Sequence, residues 1–288
     1  WSLATLVYHD AEIFKVTVDA QWKPQDLANT AWSTTTMQIQ IPSMMAQLAH
    51  ESLQKLHLFR RDELEMLLWS LVPSEWDQAL KIFHWADRLG RLRPLSLSPI
   101  LAEAQRRGDE GTCVNLLCTS RACESFQHYS QGLFALQKGS AGLKIDRPAV
   151  PAASSKALLA LNHVLQHATS GNAEEVLMAL EGFATEVLRP QRQWFKIAAG
   201  AKAKIVEKAL DAAPLGACLE IGTYVGYTAI RCARRRTSVV SIEVEPEHAV
   251  VSQCLTHHAG VSDQVRIWIG RSGDVLPTLR DREGTTRF

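Results

Sequence analysis

Apolar residues recur at helical spacing over the first 110 positions. Leu27, Ala31 and Trp32 fall on roughly one helical face, and Met44, Met45, Leu48, Leu53, Leu56 and Leu58 supply a second amphipathic stretch. A further helix is predicted from Trp76, and another from about Ser98 to Arg107, after Pro94. From Lys156 helical periodicity resumes through Leu158, Leu161, Val164 and Leu165, then Val176, Leu177, Leu180 and Phe183, then Ile197 to Leu210. The pattern then changes to short apolar runs alternating with helical ones. Strands are predicted at Ala217–Ile221, Val239–Glu243 and Val265–Ile269, with helices at Tyr227–Arg234 and Pro246–His258 between them and Val275–Leu279 after them. Strand, helix, strand, helix, strand implies a parallel, doubly wound sheet. The expected fold is therefore an α-helical region followed by an α/β, Rossmann-like domain of which the first three strands are present.

Three regions follow. Residues 1–110 read as a helical-repeat region, because Trp-Ser recurs at Trp1-Ser2, Trp32-Ser33 and Trp69-Ser70, the last two 37 residues apart. Residues 111–155 read as a linker, rich in breakers such as Pro148 and Pro151, with one short helix at about Cys123 to Gln137. Residues 156–288 read as the α/β domain.

Composition narrows this only slightly. The 288 residues are 46% hydrophobic and 21% charged, a globular balance, and the net charge of +1 gives no bulk argument for a polyanionic partner. No apolar run reaches the roughly 18–20 residues of a membrane helix, and the N-terminus does not read as a secretory signal. The six cysteines lack paired zinc-site spacing and read as reduced thiols of an intracellular protein, cytoplasmic or organellar.

The chemistry concentrates where the first two strands end. In Glu220-Ile221-Gly222-Thr223-Tyr224-Val225-Gly226 the glycines permit a sharp turn and close approach of a ligand to the backbone. Glu243 closes the second strand 21 residues after Gly222, an offset at which a carboxylate can accept both hydroxyls of a ribose. The spacing Glu-x-Gly-x-x-x-Gly differs from a dinucleotide fingerprint. A bland alternative stands beside this: two glycines that merely tighten a turn and a solvated acid at a strand end.

Two resemblances extend the reading. Pro24-Gln25-Asp26-Leu27-Ala28-Asn29-Thr30-Ala31-Trp32 resembles octotricopeptide-type repeats, and Trp76–Arg107 looks like a pentatricopeptide-style helix pair; these families imply RNA binding, against the simpler reading of a helical scaffold. Leu161–Ala168 with Gly171-Asn172-Ala173, Leu219–Arg231, Ile242–Pro246, His258–Val261 and Gly270-Arg271-Ser272 are together similar to the catechol O-methyltransferases over about 125 residues.

That second resemblance implies S-adenosylmethionine as cofactor and transfer of its methyl group to a catechol hydroxyl. The backbone of Gly222, with Tyr224, Gly226 and Thr228, would hold the methionine part. Ala198 would meet its carboxylate end, Glu243 the ribose, and Val244 and Ser272 the adenine. Trp194 would wall the catechol pocket, with Lys202 close by. Arg271 and Gly273 depart from the smaller or amide residues of the family, and residues 198–201 lack its acidic residue. The family also implies Mg²⁺ bound by carboxylates, and a catalytic lysine, after the fourth and fifth strands. Up to Phe288 the sequence contains neither, so no catalytic or metal residue is assigned and the domain reads as incomplete. Asp281 and Glu283 read as solvated acids, as do the charges of Arg234-Arg235-Arg236, and His163 with His167 as a packing or surface pair.

Overall fold

A computed structural model of the protein describes residues 21–39, 41–137, 155–213, 216–235 and 238–283. Trp1-Ser2 and the breaker-rich stretch with Pro148 and Pro151 lie outside them. The chain divides into two compact units, one formed by 1–103 with 120–122 and the other by 104–119 with 123–288.

The first unit is helical. Helices α1 (Pro24–Thr36), α2 (Pro42–Gln54), α3 (Arg61–Leu71) and α4 (Trp76–Arg88) precede α5 (Ser98–Arg106). In its core Leu27, Ala28 and Ala31 of α1, Leu64, Leu67, Leu68 and Leu71 of α3 and Phe83 of α4 are fully buried, and Phe59, just before α3, is 1% exposed. Trp32 and Trp69 are half-buried. A repeat architecture is not evident from these helices. Asp87, buried at the end of α4, accepts hydrogen bonds from the Ser120 hydroxyl at 2.7 Å and from the backbone N–H groups of Arg121 at 3.2 Å and Ala122 at 3.1 Å. These bonds fasten the 120–122 segment to this unit.

The second unit begins with α6 (Glu110–Thr119) and α7 (Gln127–Gln137), so two helices stand in the stretch read as a linker with one. Then come α8 (Lys156–His167), α9 (Ala173–Gly182), α10 (Ala201–Ala212), β1 (Cys218–Ile221), α11 (Tyr227–Ala233), β2 (Val239–Glu243), α12 (Pro246–His258), β3 (Val265–Ile269) and α13 (Ser272–Glu283). Ser155 caps α8 by accepting from Leu158 N at 3.2 Å, and Asn172 caps α9 by accepting from Glu175 N at 3.2 Å. The helix expected from Ile197 starts at Ala201 instead, because Gly200 takes φ 61° and breaks the chain direction.

The sheet is parallel, in the order β1-β2-β3, with Leu219 opposite Val240 and Ile242 opposite Trp268. β2 is buried along all five residues because it lies between the other two. Alternation along it decides what each face does. Val240 and Ile242 point to α13 and pack with Val275 and Leu279, flanked by Leu219 and Trp268. The intervening Ser241 and Glu243 belong to the opposite face, as does Glu220, the partner of Ser241 across β1. One face is thus a plain apolar core and the other carries buried polar groups.

Of the two C-terminal acids, the side chain of Asp281 lies outside the described residues and Glu283 differs from expectation. Glu283 is not solvated: its carboxylate accepts from Trp268 Nε1 at 2.8 Å and pairs with Arg266 at 2.7 Å, because α13 runs back alongside β3. Arg234 and Arg235 are likewise paired, with Glu174 and with Asp211. His163 and His167 stack at 4.1 Å between ring centroids, and His163 packs on Phe183.

Candidate functional site

The turn after β1 is shaped by three positive-φ residues: Gly222 at 88°, Tyr224 at 54° and Gly226 at 75°. The two glycines answer different needs. A Cβ on Gly226 would lie 2.5 Å from the hydroxyl of Ser252, so this glycine lets α11 and α12 approach each other. A Cβ on Gly222 would meet nothing within 4 Å. The space above that backbone is open, at the carboxyl end of the sheet where doubly wound folds take their ligands.

Tyr224 pays for its left-handed conformation with contacts. Its N–H donates to Glu243 Oε2 at 2.8 Å, and its ring packs edge-on against His248 at 4.8 Å and Phe195 at 5.5 Å. Burial pushes the Tyr224 hydroxyl up to about 12.

Glu243 itself is buried, at 5% exposure, yet ionised. Burial opposes the charge, but hydrogen bonds outweigh it: His248 lies beside the carboxylate, and the N–H groups of Glu245 (2.9 Å) and Tyr224 donate to it. Together these hold its pKa below the ordinary carboxylate value. Each oxygen keeps a lone pair, so the group remains an acceptor with no proton to give.

Behind the turn lies a polar cluster not singled out from the sequence. The Glu220 carboxylate accepts from Ser241 Oγ at 2.6 Å and is also bonded by Thr228, and Ser241 shares a further bond with Thr223. Burial, which prevails over these bonds, pushes Glu220 up to about 7, and the nearby Cys218 and Glu243 charges add to the rise. Two adjacent carboxylates therefore differ in protonation. The visible signal was Glu220 itself, an acid in an otherwise apolar strand. Nearby, Glu245 Oε1 is buried with no hydrogen-bond partner among the described residues.

The other residues expected at the site stand in different environments. Thr228, in the first turn of α11, and Ser272, which opens α13, are half-buried, and Val244 is 37% exposed just beyond Glu243. Arg271 and Gly273 are both exposed. Ala198 lies half-buried in the irregular stretch before α10. Trp194 is 68% exposed, with Lys202 Nζ 6.0 Å from its ring centre and its carbonyl accepting from Lys156 Nζ at 3.3 Å. The geometry thus ties Gly222, Tyr224, Gly226, Thr228 and Glu243 into one cluster with Glu220, while Trp194 and Lys202 form an exposed pair of their own. Among the described residues no three His, Cys, Asp or Glu side chains are placed to hold a metal ion.

Comparison with known proteins finds similar sequences. The chain is 33% identical over 132 residues to the catechol O-methyltransferase of Bos taurus, covering 45% of this chain and 47% of that protein. It is 32% identical over 125 residues to the catechol O-methyltransferase of Mus musculus, covering 42% and 45%. It is 29% identical over 131 residues to catechol O-methyltransferase B of Danio rerio, covering 44% and 48%. No family model matches the chain. These similarities support the class I O-methyltransferase family, with which the three-stranded parallel sheet and its flanking helices are consistent. The chain spans about half the length of the curated relatives it matches. None of these relatives is named for RNA, and neither they nor the structure support the RNA partner read from the N-terminal region. Among the described residues no helix is long and apolar enough to cross a membrane.

Proposed function

We propose that the second unit binds S-adenosylmethionine at the carboxyl end of its sheet, and that the protein of which this domain is part methylates a hydroxyl of a catechol-like small molecule. The observation that carries the reading is the ionised, buried carboxylate of Glu243 facing a glycine turn whose backbone is open at Gly222. An acceptor-only group at the end of β2 suits the two hydroxyls of a ribose, and an uncovered glycine suits a ligand that must come close to the main chain.

Bound S-adenosylmethionine supplies a methyl group on a sulfonium centre. The chain's contribution is to hold and align. Gly222, Tyr224, Gly226 and Thr228 cradle the methionine part, Ala198 meets its carboxylate end, Glu243 accepts from the ribose, and Val244 and Ser272 flank the adenine. Trp194 and Lys202 border the acceptor, where an exposed aromatic face can stack on a phenolic ring. Alignment of the acceptor oxygen behind the methyl group supplies much of the acceleration in such a displacement. The magnesium ion implied by the family finds no ligand set among the described residues, and no step is assigned to it.

The reading is tested by incubating the full chain with S-adenosylmethionine and a catechol and analysing the products by mass spectrometry. A monomethylated catechol that disappears with Glu243→Ala supports both halves of the proposal. Saturable cofactor binding without product confines the proposal to the cofactor site, and absence of both contradicts it.

A further inference from the structure

Two cysteines that lie far from any expected zinc or disulfide pattern meet in the fold. Cys218 is the first residue of β1 and Cys232 the penultimate residue of α11, and their sulfurs are 3.9 Å apart. Among the described residues no disulfide joins any cysteine. Their accessibility is unequal: Cys218 is half-buried and Cys232 is 1% exposed. We propose that Cys218 and Cys232 are a redox-active dithiol that a hydroperoxide converts into an intrachain disulfide.

The geometry assigns a role to each sulfur. Cys218, the more accessible, is the attacking group, and the Cys232 thiol beside it can donate to the thiolate that Cys218 becomes. That neighbour draws Cys218 down to about 7 against the opposing effect of burial, while Cys232 is raised by the same contact. The neighbour thus favours ionisation of Cys218, and the thiolate is the nucleophile. In the first step the Cys218 thiolate attacks the hydroperoxide, an S–O bond forms, the O–O bond breaks, and the departing alkoxide takes up a proton from solvent, equal to the one Cys218 released on ionising. In the second step the Cys232 sulfur attacks the resulting sulfenic acid, the S–S bond forms, and water leaves with the Cys232 proton. Two thiols and one hydroperoxide thus give a disulfide, an alcohol and water. The sulfurs must close from 3.9 Å to about 2.05 Å, a distance within side-chain rotation. The ring so formed encloses the whole turn from Gly222 to Gly226. The inference stands on the two sulfurs alone and does not depend on what the turn binds.

The test treats the folded full chain with hydrogen peroxide, alkylates the remaining thiols without reductant, and maps the digest by mass spectrometry. The expected product is a peptide pair joined through Cys218 and Cys232, released by dithiothreitol and missing from Cys232→Ala. Recovery of the two cysteines from oxidised, folded wild type as separate peptides, whether alkylated or carried to sulfinic acid, overturns the proposal. A second measurement needs no oxidation. The rate of Cys218 alkylation at neutral pH should fall about 10-fold or more in Cys232→Ala, which removes the neighbouring thiol. An unchanged rate in a variant that retains its circular dichroism likewise contradicts the pairing.

Discussion

The backbone N–H of Tyr224 donates to the carboxylate of Glu243 at 2.8 Å, and this bond fastens the glycine turn after β1 to the end of β2. Tyr224 holds a left-handed φ of 54°, a conformation that costs a bulky residue of order 1–2 kcal/mol, and the bond to a charged acceptor offsets that cost. The turn and the acid therefore form one device.

Gly222→Ala and Gly226→Ala separate the two uses of glycine in that device. Both place a side chain at positive φ, at about 1 kcal/mol or more each. Only Gly226→Ala also meets Ser252 Oγ, so its thermal midpoint should fall further, and Ser252→Ala should recover part of the difference. Gly222→Ala should lose only this conformational cost in stability but should impair cofactor binding, because its methyl group enters open space where the ligand is proposed to lie. Equal thermal losses in the two variants would count against this division.

Glu220 and Glu243 should act on stability at opposite ends of the pH scale. Glu220 is raised in the folded protein from the usual 4.5 to about 7, so the folded state keeps a proton that the unfolded state has released. Its contribution is fully present below pH 4.5 and is lost as pH rises to about 7, a total of about 3 kcal/mol. Glu243 is lowered, so its contribution is present above 4.5 and is lost as pH falls through its folded value. Urea midpoints measured between pH 5 and 8 should fall with pH in wild type more than in Glu220→Gln. Parallel profiles would show that Glu220 is not perturbed.

Glu283 ties α13 to β3 through Trp268 and Arg266. Glu283→Ala should destabilise the second unit by about 1–2 kcal/mol and alter tryptophan fluorescence. A change within experimental error in both would indicate that the helix end is held by the apolar contacts of Val275 and Leu279 alone.

In the first unit Asp87 gathers three donors in a buried position, so Asp87→Ala removes the acceptor they share and leaves Ala122 N–H only its bond to the Ser120 hydroxyl at 3.2 Å. The expected loss is about 2–4 kcal/mol, with amide exchange accelerated at Arg121 and Ala122. Retained protection at these two amides would show that they are held by something other than Asp87.

The α/β half was legible because its signals are local. Apolar runs gave β2 and β3 to the residue, Pro246 and the paired histidines bounded α12, and the glycines marked the turn. What stayed hidden depends on which groups the fold brings together. Glu220, Ser241 and Thr223 are scattered in sequence and meet only because parallel pairing sets Glu220 opposite Ser241. The 3.9 Å approach of Cys218 and Cys232 arises from the packing of α11 on β1, which no spacing rule anticipates. Glu283 looked like a solvated acid because its partners, Arg266 and Trp268, lie on a strand it follows.

The most direct test of the central claim is calorimetric titration of S-adenosylmethionine into the full chain, with Glu243→Ala alongside. The account predicts saturable binding by wild type that weakens roughly 30-fold or more in the variant, about 2–4 kcal/mol for hydrogen bonds to a charged acceptor. Folded wild type that takes up no S-adenosylmethionine, or a variant that binds it equally well, would contradict the assignment of Glu243 and the glycine turn as a cofactor site.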